Sequence, residues 1–328
     1  MPASTPPSPD APATAQASTG TVTVPEPRWL DLWPGREAPV QPQVWDLTGE
    51  PPVPAAEVSF VVLPYQGSEL VLDRLADLPH LRVVQTLTAG YEHVAPAVPP
   101  GVTLATAAGV HDASTAELAV GLTIAALRGF GDFVRAAGEG RWAAGTRPAL
   151  ADKRVLLVGV GSVGSAIAAR LAPFEVELTR VGTQARDDAE GHVHGVDELP
   201  GLLPRAQVVV LATPLTDATR GLVDAAFLAA LPDGALVVNV SRGPVVETDA
   251  LVAEVASGRL LAALDVTDPE PLPPDHVLWT LPGALISPHV GGDTSAFPPR
   301  ARALLADQLE RFATGRPLRN VVQGPGAD

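Results

Sequence analysis

The sequence predicts an α/β fold built from doubly wound parallel sheets. An apolar run at residues 155–158 leads into the glycine-rich turn GVGSVG at 159–164, and a small-residue helical pattern then extends to Leu171. This order of strand, tight turn and helix is typical of a nucleotide-binding βαβ unit. Further apolar strands alternate with helices on both sides of the motif, which indicates two α/β units.

Before the motif, short apolar runs predict the strands of a first sheet. Strands are expected at 58–63, 81–87 and 102–105, with a helix at 70–78 between the first two. A longer helix is expected at 115–130, and its apolar character on most sides indicates burial.

After the motif, the same alternation continues to the end of the chain. We expect strands at 176–181, 207–212, 235–240, 260–266 and 284–287. We expect helices at 224–231, 248–257 and 300–314. The segment 192–198 is ambiguous. Strands that recur with intervening helices and short turns fit a doubly wound parallel sheet.

Composition excludes several classes of partner. The chain has 328 residues, long enough for two domains, and a formal net charge of −15, which disfavours nucleic acid and anionic membranes. It has no cysteine, so thiolate metal sites and cysteine nucleophiles are excluded. Nothing indicates export, so we expect a cytoplasmic protein. Residues 1–24 are rich in Pro, Ser, Thr and Ala, and we expect a flexible tail there.

Each glycine of the motif has a physical role in dinucleotide binding. Gly159 permits the tight turn, Gly161 lets the backbone approach a pyrophosphate, and Gly164 lets helix and strand pack closely. The helix that begins at Ser162 and Val163 offers free N–H groups and a positive dipole end to the phosphates. The alternative is an ordinary strand-to-helix turn.

Three polar residues are expected at or just beyond strand ends, where ligands gather in such sheets: Arg242, Glu270 and His289. An arginine fork matches a carboxylate, and a histidine beside an acid can transfer a proton near neutral pH. Each residue alone is more often an ordinary surface or loop residue. Together, beside a nicotinamide, they predict hydride exchange with a 2-oxo acid.

The chain resembles the D-isomer-specific 2-hydroxyacid dehydrogenase family. The resemblance is carried by VLLVGVGSVG, ATPLTDATRGLVD, LVVNVSRGPVVETDALVAEVASGRLLAALDVTDPEPLP and SPHVGGDTSAF, in the family's order and spacing. It covers nearly everything from Val58 to Val322. It implies that the catalytic arginine, glutamate and histidine are Arg242 in NVSRG, Glu270 in DPEP and His289 in SPHVGG.

The resemblance also implies further binding residues. The backbone of Ala89 and Gly90 is expected to hold the substrate carboxylate together with Arg242. Asp265 matches the residue that contacts the nicotinamide amide. Thr213 and Pro214 lie where the family chain passes the adenosine.

The resemblance implies a layout of two Rossmann-like or flavodoxin-like domains. A substrate-binding domain would comprise residues 25–109 and 293–328, and a dinucleotide-binding Rossmann domain residues 110–292. The active site would lie in the interdomain cleft, and members of the family are usually homodimers.

The second strand of the cofactor unit suggests which dinucleotide is bound. An NAD-binding unit places an acid about 20 residues beyond the first glycine, to bond the ribose 2′-OH. Arg180 occupies that position, Arg186 follows, and Thr183 adds a hydroxyl. Arginine pairs well with a 2′-phosphate, so we expect NADP(H) to be preferred, with NAD(H) possible. The alternative is that Arg180 is a solvated strand-end charge and that the enzyme does not distinguish the two dinucleotides. Glu177 is the competing acid, but it is expected mid-strand, where a ribose would not reach it.

A glyoxylate or hydroxypyruvate reductase is the first expectation for the activity. Phosphoglycerate dehydrogenase and D-lactate-type activities come next, and formate dehydrogenase is disfavoured because that branch has glutamine at the position of Glu270. The rival from another class is a dinucleotide-sensing corepressor. For the other histidines we expect no paired acid and no metal site: His80, His93, His111, His192, His194 and His276.

Overall fold

The computed structural model describes residues 20–35, 37–65 and 72–327. Its strands are β1 (Thr21–Val24), β2 (Gln43–Val44), β3 (Val58–Val62), β4 (Val83–Gln85), β5 (Thr103–Ala105), β6 (Arg154–Val158), β7 (Glu177–Gly182), β8 (Arg186–Asp188), β9 (Gly191–Gly195), β10 (Val208–Leu211), β11 (Leu236–Asn239), β12 (Leu261–Leu264), β13 (Ala284–Ile286) and β14 (Val321–Gln323). Its α-helices are α1 (Asp112–Arg128), α2 (Phe130–Gly138), α3 (Ser162–Leu171), α4 (Leu199–Leu202), α5 (Ala225–Ala230), α6 (Thr248–Ala256) and α7 (Phe297–Thr314).

The chain divides into two compact units. The first lies within Met1–Ala107 and Pro299–Asp328, and the second is Ala108–Pro298. The dinucleotide-binding domain expected at 110–292 therefore falls inside the second unit. In the described part of the chain, no helix combines the length and apolar character that a membrane crossing needs.

The first unit is built on a six-stranded sheet in the order β14-β5-β4-β3-β1-β2. All its pairs are parallel except β14 with β5. Phe60 of β3 meets Phe312 of α7 edge-on, with ring centroids 5.1 Å apart. Helix α7 thus packs against the sheet of this unit.

The expectation of a flexible tail at 1–24 is wrong for its last four residues. Thr21–Val24 form β1, which lies inside the sheet between β3 and β2, and Val22 and Val24 are buried. The segment reads TVTV, and β-branched residues favour strands. The composition of the whole N-terminal stretch hid this short signal. Residues 1–19 lie outside the described residues.

The second unit is built on an eight-stranded sheet in the order β13-β12-β11-β10-β6-β7-β9-β8. Its strands are parallel except for β8 with β9. Alternate residues of β6 belong to two separate apolar clusters. Leu156 and Val158 belong to one cluster, and Val155 and Leu157 belong to the other. Because side chains alternate along a strand, the two clusters lie on opposite faces, which confirms the doubly wound arrangement.

The order of this sheet reverses between β6 and β10. From β6 the chain builds outward through β7, then returns to place β10 on the other side of β6 and continues to β13. In open α/β sheets, ligands bind beyond the carboxyl ends of the strands at such a switch point. The glycine motif follows β6, and Thr213-Pro214 follows β10 by two residues, so both lie at the switch point.

Candidate active site

Three neighbouring parallel strands bring the expected catalytic residues to one edge of the sheet. β11, β12 and β13 pair in register, with Asn239 opposite Leu264 and Leu264 opposite Ile286. Parallel strands end at the same edge. Arg242 and His289 follow the ends of β11 and β13 by three residues, which is why residues far apart in sequence can meet.

The loop that carries Arg242 is braced by its own side chains. The side-chain NH₂ of Asn239 donates to the carbonyl of Arg242 at 2.9 Å. Its Oδ1 accepts from the backbone N–H and the hydroxyl of Ser241, at 3.0 and 2.7 Å. Arg242 donates from Nη1 to the carbonyl of Ser241 at 2.6 Å. Arg242 therefore sits on a hydrogen-bonded turn that sets the direction of its side chain.

Gly243 lets this loop approach the one that carries Glu270. A Cβ on Gly243 would come within 1.9 Å of the carbonyl oxygen of Thr267, a backbone atom that cannot yield as a side chain can. The glycine beside Arg242 thus permits the close packing of two loops. Sequence reasoning gave this glycine no role.

His289 and Glu270 form a direct pair. Nδ1 of His289 lies 2.5 Å from Oε1 of Glu270. This bond raises the pKa of His289, against the effects of burial and of the charge on Arg242. Burial opposes ionisation of Glu270, but the hydrogen bond and charge of His289 outweigh it, so the pKa of Glu270 is lowered. The pair therefore favours an imidazolium beside a carboxylate, and the Nε2 of His289 remains for proton transfer.

Asp265 holds the loop that carries the histidine. His289 has a positive φ of +53°, a left-handed conformation that costs a non-glycine residue free energy. The backbone N–H of His289 donates to the carbonyl of Asp265 at 2.7 Å. The buried carboxylate accepts from the hydroxyl of Ser287 and the N–H groups of Val290 and Gly291, at 2.7, 3.0 and 2.9 Å. This bracing role was not foreseen, although Asp265 was singled out for another one.

Two glycines of the motif, Gly159 and Gly164, lie where a side chain would clash with backbone atoms. Gly159 has φ +107°, and a Cβ there would come within 2.4 Å of the carbonyl of Ala212. A Cβ on Gly164 would come within 2.0 Å of the carbonyl of Gly159. Gly161 is the exception, because nothing lies within 4 Å of its Cβ position. The tight turn requires Gly159 and the close packing requires Gly164, while Gly161 faces open space.

That open space lies at the start of α3. Gly161 is the N-cap of the helix, and no described side chain caps it. Ser162 and Val163 form the first turn, whose N–H groups have no intrahelical partners. An uncapped helix start beside an open glycine fits a pyrophosphate, so these residues suit a dinucleotide. Nearby, Thr219 donates to the carbonyl of Pro214 at 2.6 Å and shapes the loop after β10.

Comparison with known proteins shows the family of the chain. Residues 120–291 match the model of the NAD binding domain of D-isomer specific 2-hydroxyacid dehydrogenases. The chain belongs to this family. It is therefore an NAD(P)-dependent oxidoreductase that interconverts 2-oxo and D-2-hydroxy acids.

Curated relatives and solved structures extend the likeness over most of the chain. The glyoxylate reductase/hydroxypyruvate reductase of Homo sapiens is 33% identical over 86% of this chain and 91% of its own. A glyoxylate reductase of Thermofilum pendens is 32% identical over 70% of this chain and 71% of its own. A D-isomer specific 2-hydroxyacid dehydrogenase from Xanthobacter autotrophicus Py2, solved with NADPH and MES, has a TM-score of 0.78 at 28% identity, covering 93% of this chain and 98% of its own.

The role expected of Arg180 in this dehydrogenase needs correction. Arg180 is buried, and its guanidinium donates to both carboxylate oxygens of Asp188, at 2.6 and 3.0 Å, and to the carbonyl of Gly191 at 2.8 Å. A guanidinium occupied in this way is not presented to a 2′-phosphate. The error arose because β9 lies beside β7 and the β8–β9 hairpin brings Asp188 against Arg180, a placement that strand spacing alone does not reveal.

Arg186 is the arginine exposed at this strand end. It begins β8, and its Nη1 lies 3.0 Å from where a Cβ on Gly182 would be, at the last residue of β7. The residues between are Thr183, Gln184 and Ala185, so no acid stands there.

Ala89 and Gly90 lie in the first unit, in the loop that follows β4. Thr86 donates from its hydroxyl to the carbonyl of Thr88 at 2.7 Å, and Thr88 donates to the carbonyl of Gly90 at 2.7 Å. These bonds use carbonyl oxygens of the loop and no N–H group of Ala89 or Gly90. Their expected role toward the substrate carboxylate stays a prediction.

Proposed function

We propose that this dehydrogenase is a glyoxylate or hydroxypyruvate reductase that prefers NADPH. The observation that carries the chemical part is the His289–Glu270 pair at 2.5 Å, on the sheet edge that also bears Arg242. The substrate class is supported by the relatives from Homo sapiens and Thermofilum pendens, which are glyoxylate reductases by name.

In this proposal each residue has one task. Arg242 binds the carboxylate of the 2-oxo acid with its fork, and the N–H groups of Ala89 and Gly90 add to that binding. His289 donates the proton on Nε2 to the carbonyl oxygen as negative charge develops there. Glu270 holds the ring through Nδ1 and stabilises its charge. When bound, the reduced nicotinamide supplies the hydride.

The dinucleotide would lie along the switch point. Its pyrophosphate fits the backbone from Gly161 to Gly164, with Ser162 and Val163 in the first turn of α3. Thr213 and Pro214 would border the adenosine. Asp265 already accepts three side-chain and backbone hydrogen bonds, so a contact with the nicotinamide amide would use its remaining lone pairs.

Preference for NADPH is proposed on Arg186 and Thr183 in place of Arg180. A guanidinium and a hydroxyl beyond β7 suit a 2′-phosphate, and no acid stands between Gly182 and Arg186 to accept a ribose 2′-OH. The Xanthobacter autotrophicus Py2 protein was solved with NADPH, which agrees with this assignment.

We also propose a homodimer, formed through α2 and the loop after it. Val134 is 73% exposed and Phe130 50% exposed on this helix, and Trp142 in the loop is 94% exposed. Large apolar side chains this exposed and this close in sequence are typical of an interface. Because the family resemblance implies a homodimer, the occupant proposed is a second copy of this chain.

The decisive experiment follows the absorbance of reduced nicotinamide with glyoxylate and with hydroxypyruvate, using NADPH and NADH in parallel. Fast oxidation of NADPH with either acid is the expected result. Faster oxidation of NADH would overturn the cofactor preference alone. If neither acid is reduced while other 2-oxo acids are, the substrate assignment is wrong.

A further inference from the structure

A pair of histidines lies on β9, one strand in from the edge of the larger sheet and far from the catalytic residues in sequence. His192 and His194 are two positions apart on β9, so both side chains project from the same face of the strand. Their ring centroids are 4.6 Å apart, with planes at 86°. This is a His-x-His arrangement on an exposed hairpin.

Each histidine has a carboxylate partner, contrary to the expectation from the sequence. Asp187 pairs with His192 across the hairpin, and its Oδ1 lies 2.8 Å from Nδ1 of that ring. Oε2 of Glu198 lies 2.8 Å from Nδ1 of His194, while its Oε1 accepts from the N–H of Gly195 at 2.8 Å. The antiparallel hairpin and the turn after β9 create both pairs.

The geometry is close to that of a metal site. His192, His194 and Glu198 each offer a ligand atom, and these atoms lie within 4.8 Å of one another. Ligands about 2.0 Å from a tetrahedral ion are about 3.3 Å apart, a contraction that rotation of partly exposed rings can supply. All three side chains are open to solvent, so an ion has an entry path.

We propose that His192, His194 and Glu198 bind one divalent transition-metal ion of the zinc class. Two imidazoles and one carboxylate suit Zn²⁺, Co²⁺, Ni²⁺ or Cu²⁺ and do not suit Mg²⁺ or Ca²⁺, which prefer oxygen ligands alone. Asp187 orients the ring of His192 through Nδ1, as acids commonly do for metal-binding histidines.

The ion would join two structural elements. His192 and His194 lie on β9, whereas Glu198 ends the turn Val196–Glu198 that leads into α4. Binding would therefore fasten the β8–β9 hairpin, the outer edge of the sheet, to the segment that follows it. Because an ion that binds only the folded state stabilises that state, the apparent Tm should rise with its concentration.

The test uses the full chain, free of any affinity tag and stripped of metal with a chelator. Zn²⁺ is titrated by calorimetry and Co²⁺ by its visible absorption. We expect one ion per chain, a Co²⁺ spectrum of tetrahedral or five-coordinate type, and a higher Tm. His192→Gln, His194→Gln and Glu198→Gln should each weaken binding by at least about tenfold.

Two controls separate this site from other histidines. His80→Gln changes an exposed histidine of the first unit and should leave binding unchanged. His289→Ala removes the catalytic His–Glu pair, and it too should leave binding at one ion per chain. Zn²⁺ binding that is absent in the unmodified chain, is unchanged in all three ligand variants, or is lost with His289→Ala would overturn the proposal.

Discussion

Replacing Asp265 with asparagine tests whether its carboxylate holds the catalytic histidine in place. The carboxylate accepts three hydrogen bonds, from Ser287, Val290 and Gly291. Asparagine has one acceptor oxygen in place of two. Its NH₂ group would therefore face at least one of these three donors, which would lose its hydrogen-bond acceptor. A lost hydrogen bond to a charged, buried acceptor costs about 2–3 kcal/mol.

This cost is comparable with the strain that Asp265 offsets. A left-handed conformation at a non-glycine residue costs about 1–3 kcal/mol, and His289 adopts one with φ +53°. Losing about 2–3 kcal/mol of bracing should therefore reduce the population of the competent loop, and with it kcat, by about 30- to 150-fold. Asp265→Ala, which removes both acceptor oxygens and with them all three hydrogen bonds, should lose more.

The assay is the steady-state rate of 2-oxo acid reduction, with cofactor Kd and Tm measured beside it. The charge of Asp265 also raises the pKa of His289, after the larger effect of Glu270. Rates are therefore compared at low pH, where His289 is protonated in both enzymes and the rate does not depend on pH. Asp293→Asn changes an exposed acid of the same segment and should have no effect. If Asp265→Asn keeps kcat within about threefold of the unmodified enzyme, the bracing argument is refuted.

Three further outcomes are expected. In the reductive direction the rate should fall as pH rises through the raised pKa of His289, because the proton donor is lost. Glu270→Gln removes the main cause of that raised pKa, so a pH profile of kcat should show the fall at lower pH. Arg186→Ala should raise KM for NADPH by about tenfold or more and leave KM for NADH unchanged, whereas Arg205→Ala should change neither; equal effects on both cofactors would contradict the 2′-phosphate assignment. Trp142→Ser should shift the chain from dimer toward monomer in light scattering, and an unchanged mass would count against that interface.

Much of the fold could be predicted because the signals are local. Apolar runs placed the strands from β3 to β13, apart from the hairpin, to within a few residues, and the glycine spacing located the start of α3. Parallel strands end at one edge of a sheet, so the order of elements alone was enough to group Arg242 with His289. Glu270, in the loop after β12, was grouped with them in the same way, and the resemblance to the family then implied the catalytic role of each residue.

What could not be predicted depends on contacts between distant or irregular segments. Asp188 is eight residues from Arg180, yet it occupies the guanidinium because the hairpin turns back beside β7. The partners of His192 and His194 have the same origin. The bracing by Asp265 depends on loop conformation after β13, including the positive φ of His289, and periodicity gives no information about such loops.

The most direct test of the account is the rate of NADPH-dependent reduction by His289→Ala. The imidazolium held by Glu270 is the proposed proton donor, and general acid catalysis contributes about a hundredfold to ten-thousandfold in rate. The account predicts a loss of kcat in that range with cofactor affinity and Tm unchanged, while the exposed-histidine variant His80→Ala keeps full activity. Unchanged turnover by His289→Ala would contradict the assignment of His289 as the catalytic acid.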